Sequence, residues 1–69
     1  MTTVKIDNSP CTISSQIDPN LPTLDRVFML FGPVYLGIWD KDDRKAFIAA
    51  LLKADAELDA AQAAREGAA

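Results

Sequence analysis

The alternation of apolar and polar positions begins at the first residues. Val4 and Ile6 fall on one side of an extended chain and Thr3, Lys5 and Asp7 on the other, the period-two signature of a half-buried strand. Cys11, Ile13 and Ile17 repeat it after Asn8-Ser9-Pro10, three residues suited to turning a hairpin, although Pro10 denies one ladder donor. Two strands alone are marginal in water, so residues 1–22 read either as a short strand or hairpin or as an extended arm. The cluster Asp18-Pro19-Asn20-Leu21-Pro22-Thr23 then breaks the pattern. Leu24, Val27, Phe28 and Phe31 recur at i, i+3, i+4 and i+7, which predicts a short helix over 24–31 with Thr23 as N-cap, Asp25 in its first turn, and a stop near Gly32-Pro33. Residues 34–39 fit a further helical turn, a strand or a loop; the spacing of Tyr35 and Trp39 favours helix.

The last segment carries the plainest pattern. Asp40, Asp42 and Asp43 crowd the start of a stretch in which alanine takes 11 of the final 24 positions, which predicts a helix over 41–66 closed by Gly67. Its apolar stripe is Phe47, Leu51, Ala54, Leu58 and Ala61, widened at the start by Ile48 and Leu52. Large and small residues alternate along it, a seam suited to an antiparallel partner helix. The expected fold is therefore mainly α, with an extended or β N-terminal arm and a long C-terminal helix, as an intertwined or antiparallel helical homodimer.

Size and composition narrow the chemistry. Sixty-nine residues form one small domain, which buries only about 60% of its unfolded surface and needs an idealised core, a staple or a second copy. With one cysteine and no histidine, an intrachain disulfide, a Cys/His zinc site, a Ser-His-Asp triad and a Cys-His dyad are out of reach. Cys11 has no activating cation beside it in sequence and reads as a small buried hydrophobe. Asp40-Lys41-Asp42-Asp43 departs from a calcium loop, with Lys45 and Leu51 where a Gly and a Glu are required, and reads as helix capping. Asp55 and Asp59 lie off the seam and read as a solvated face. No cofactor, metal or catalytic residue is expected.

The net charge of −3 with dispersed cations argues against direct nucleic-acid binding. The apolar stretch 27–39 is too short, and too interrupted by Gly32, Pro33 and Gly37, for a membrane span. The start of the sequence lacks the unbroken apolar core of a secretion signal, so a cytoplasmic location is expected. Four of the five aromatics lie between Phe28 and Trp39, more apolar surface than the chain can cover. Phe28, Phe31, Phe47, Leu51, Ala54 and Leu58 are the expected dimer interface. Tyr35, Leu36, Trp39 and Arg44 are the expected contact with a different protein, Arg44 by lying one heptad before Leu51 on the seam.

The extended polar start, the run FMLFGPVYLGIW and the Ala-rich acidic helix together resemble the small host-takeover proteins of temperate bacteriophages, in particular the quorum-sensing anti-activators of Pseudomonas phage. The likeness is one of general build and transfers no residue role. It implies a helical dimer that seizes the DNA-binding domain of a transcription activator and also blocks a type IV pilus assembly ATPase. The expected function is a non-enzymatic protein-binding inhibitor or regulator; the alternative is a structural or assembly subunit of virion or tail type.

Overall fold

Turn chemistry organises the first 38 residues into a sheet. The computed structural model describes residues 1–68, and in it β1 (Thr2–Ile6), β2 (Ser9–Gln16), β3 (Arg26–Phe31) and β4 (Val34–Ile38) form an antiparallel meander in chain order. Asp7 and Asn8 both adopt positive φ, 50° and 69°, the requirement of a two-residue loop whose twist matches the strands. The turn thus sits one residue earlier than the Asn8-Ser9-Pro10 expected, and Pro10 lies inside β2. It costs little there. With Ile6 and Ser9 closing the loop as a hydrogen-bonded pair, the nitrogen of Pro10 points away from β1, to a side where β3 has already ended at Phe31.

The second hairpin overturns the helix expected over 24–31. Gly32, at φ 59°, takes the left-handed first position of a two-residue loop and Pro33 the second, so the pair reverses the chain. The i, i+3, i+4, i+7 spacing of Leu24, Val27, Phe28 and Phe31 is a coincidence: three of the four lie in the continuous apolar run 27–31, which serves a strand equally well. Pairing decides it: β3 is hydrogen-bonded on both sides, to β2 and to β4. Residues 34–38, favoured as helix, are the edge strand β4. The turn Pro22–Leu24 is a single 3-10 turn, with Thr23 inside it rather than capping a helix. Asp25 accepts a hydrogen bond from the Asp18 nitrogen at 2.8 Å, and Asp18 Oδ1 accepts from Asn20 and Leu21 nitrogens at 2.9 Å each, which closes the β2–β3 loop.

The long helix is present as α1 (Lys41–Ala68) and runs through Gly67 instead of stopping there. Its start is defined by Asp40, whose Oδ2 accepts the Asp43 amide at 2.9 Å and whose carbonyl accepts the Arg44 amide at 2.9 Å. The architecture is therefore a four-stranded sheet with one C-terminal helix, not a mainly helical chain. The mainly helical build falls with it, both as expected from the residue pattern and as the phage-protein resemblance implied. Among the described residues no helix is long and apolar enough to cross a membrane.

Register sorts the sheet into two unlike faces. Three cross-strand rows share one face: Val4–Cys11–Phe31–Val34, Thr2–Ile13–Met29–Leu36 and Ser15–Val27–Ile38. None contains a charge. The other face carries Thr3–Thr12–Leu30–Tyr35 and Ser14–Phe28–Gly37, with Lys5 and Arg26 nearby. Cys11, flanked in its row by Val4 and Phe31, is the one buried apolar residue among those described.

Little covers either face. The helix meets only β4 substantially and then runs free, giving a molecule 57 Å long with a radius of gyration of 16.1 Å, where a compact chain of this length has about 11 Å. The accessible surface is 5730 Å², against about 4,200 Å² for a typical folded monomer of this mass. The surplus is about 1,500 Å² per chain. Asp40→Ala is expected to lower stability by about 1 kcal/mol through loss of the cap, and Asp40→Asn to retain most of it; urea denaturation followed by far-UV circular dichroism measures both.

Candidate functional site

On the mixed face the arrangement grows from a missing side chain. Gly37 pairs with Phe28, and a Cβ at residue 37 would lie 2.5 Å from the ring of Trp39 and 3.1 Å from that of Tyr35. Both rings occupy the space that this glycine leaves. Phe28 and Tyr35 stack with centroids 5.8 Å apart and planes 16° from parallel. Arg26 ties the group together: its Nε donates to Tyr35 Oη at 2.7 Å, another guanidinium nitrogen donates to the Leu24 carbonyl at 3.1 Å, and the guanidinium carbon lies 5.8 Å from the Trp39 ring centroid. Arg26, Phe28, Tyr35 and Trp39 form a fixed platform, half-buried at Arg26 and Phe28 and exposed at Tyr35 and Trp39.

Sequence reasoning missed Arg26. Its signal was present once the turn is placed at Gly32-Pro33: extending the pair Val27–Ile38 by one residue sets Arg26 opposite Trp39. A cation opposite an indole, beside a phenol hydroxyl, is a recognisable anchor.

The structure redistributes the two expected residue sets. Tyr35 and Trp39 come together, joined by Phe28, which had been placed with the dimer residues. Leu36, next to Tyr35, points to the opposite face and shares its row with Met29. Phe31 is on that apolar face too. Arg44 lies in the first turn of α1, half-buried, its amide held by Asp40. Phe47 shares an open cleft of about 410 Å³ with Leu36, Ile38, Trp39 and the carboxylate-bearing Asp40 and Asp43, where the helix leaves the sheet. Leu51, Ala54 and Leu58 lie beyond the cleft on the free part of α1; Leu51 is 62% exposed and Leu58 52%.

Chemically, these side chains present stacking, cation–π and hydrogen-bonding groups at the surface. Tyr and Trp concentrate at the centres of protein interfaces because they offer large, stiff, half-polar area. Among the described residues no three His, Cys, Asp or Glu side chains gather to hold a metal ion. Comparison with protein-family models, with curated proteins and with solved structures finds no match to the chain.

Gly37→Ala is expected to push the Trp39 ring off the platform without unfolding the sheet, because the clashing atoms lie at the far end of that ring. A red shift of tryptophan emission and easier quenching by acrylamide would report it. An unchanged spectrum would show that the ring does not rest on residue 37.

Proposed function

We propose that this chain is a non-enzymatic protein-binding module that acts by occupying a surface on another protein. The observation that carries the reading is the surplus of about 1,500 Å² of accessible surface, which the chain's own fold does not cover and which has the size of one partner's share of a substantial interface. The two faces divide the work. The charge-free rows of the sheet and the bare stripe of α1 serve self-association, and the Arg26–Tyr35–Trp39 platform, polar at its rim, faces the second protein. A pinned platform suits that task because little side-chain freedom remains to be lost on binding.

The acidic charge favours a basic patch on the target. The reading needs none of the specific partners that the phage resemblance implied. An assembly subunit is the second reading, favoured by one feature: β1 and β4 are both outer strands with a free edge, which permits open-ended growth of the sheet. A polymer of indefinite length in sedimentation selects it over a closed oligomer.

The test of the main reading is quantitative affinity capture from a lysate of the cell that encodes the protein, comparing the natural chain with a Tyr35→Ala, Trp39→Ala double variant of matched circular dichroism. At least one protein is expected to be enriched about tenfold or more on the natural chain and lost on the variant, the usual cost of removing interface anchors. An identical set on both baits would refute the platform.

A further inference from the structure

We infer, resting on the reading above that the bare apolar surface is buried between proteins, that its occupant is a second copy of this chain and that the two copies exchange helices: the 47–58 stretch of each α1 lies on the apolar sheet face of its partner.

Each protomer has a sheet face that lacks a helix and a helix that lacks a sheet. The sheet face has no charged residue in its three rows. On α1, Phe47, Leu51, Ala54 and Leu58 fall on one side at 100° per residue, while Lys53 falls on the far side and Glu57 on the flank. Every bulky apolar residue of the helix lies between Phe47 and Leu58, and beyond Leu58 only alanines serve as apolar positions among the described residues. That stretch is about 17 Å long. Strands of five or six residues span about 17–20 Å, so one helix segment matches one sheet face in length.

The protomer does not use its own helix for this. Only Trp39 and Asp40 separate β4 from α1, and both are held, the ring over Gly37 on the opposite face and the carboxylate in the cap. Phe47 stays beside the sheet, lining the cleft with Leu36 and Ile38, and beyond it α1 runs clear of the apolar rows along the 57 Å long axis.

Other pairings of two copies leave a remainder. Helix against helix leaves the sheet rows bare, with Val34 58% exposed; sheet against sheet leaves Leu51 and Leu58 bare. Reciprocal exchange covers the sheet rows and the helix stripe on both copies, and its two-fold symmetry closes. The surplus of about 1,500 Å² per chain lies within the share that each protomer of an obligate dimer buries, about 1,000–2,500 Å².

The test uses two single variants, Met29→Cys at the middle of the sheet face and Leu51→Cys near the middle of the helix stretch, each with a different affinity tag, mixed and treated with a short bis-maleimide. Native Cys11 is buried, and the natural chain serves as its control. Exchange predicts a cross-link between the two tags that exceeds either self-link. A dominant Leu51→Cys self-link, or a dominant Met29→Cys self-link, overturns the exchange and leaves the reading of a buried apolar interface standing. A folded monomer at micromolar concentration in sedimentation equilibrium overturns both. Leu58→Asp, at a position exposed in the protomer, is expected to weaken the dimer about 100-fold or more, because each substitution is felt twice across a two-fold axis. Unchanged dimerisation by that variant also overturns the exchange.

Discussion

Two residues between the last strand and the helix join the sheet to α1. Trp39 turns back over Gly37, where only hydrogen occupies the Cα, and Asp40 spends its carboxylate on the first turn of α1. With both residues held, the first turns of α1 stay beside β4, where Phe47 lines a cleft with Leu36 and Ile38, and the rest of the helix runs off the sheet. A longer or looser connection would allow α1 to fold back onto Met29 and Leu36, giving a small two-layer domain with an ordinary core. Here the layers are present and the stacking is not, so the buried apolar set among the described residues is Cys11 alone.

That separation explains why the two faces differ so sharply. The register places Val4, Cys11, Ile13, Val27, Met29, Phe31, Leu36 and Ile38 on one face, which is free of charge in its three rows. The strict period of two then sends the neighbours of those residues to the other side, where Thr, Ser and Lys dominate over β1 and β2 and aromatics over β3 and β4. Arg26 keeps the aromatic half from being loose: one guanidinium engages a phenol, a carbonyl and an indole. The same chain thereby carries an apolar face and a structured aromatic one on opposite sides of a single sheet.

What the amino-acid order determined unaided was whatever rests on local interactions. Asp40 as the start of the long helix, its alanine-rich body and the strand alternation of Val4 and Ile6 all depend on neighbours within a few residues, so they were legible. The surfeit of apolar area was legible too, since it follows from composition and length. The start of the second hairpin was not: proline after glycine ends a helix and turns a hairpin by the same fixed φ, and an unbroken apolar run from Val27 to Phe31 fits either period.

Only the tertiary structure settled those choices, because hydrogen-bond partners on β2 and β4 are distant in sequence and each strand is fixed by the strands beside it. Helix was expected over 24–31 and 34–39 from spacing alone; ladder bonds on both flanks of β3 outweigh a spacing that costs nothing to satisfy in either form. Register likewise created the platform, bringing Arg26 opposite Trp39 and parting Tyr35 from Leu36, adjacent in sequence and on opposite faces in space. Side-chain alternation is a property of a strand, and which strand a segment becomes is decided by what it pairs with.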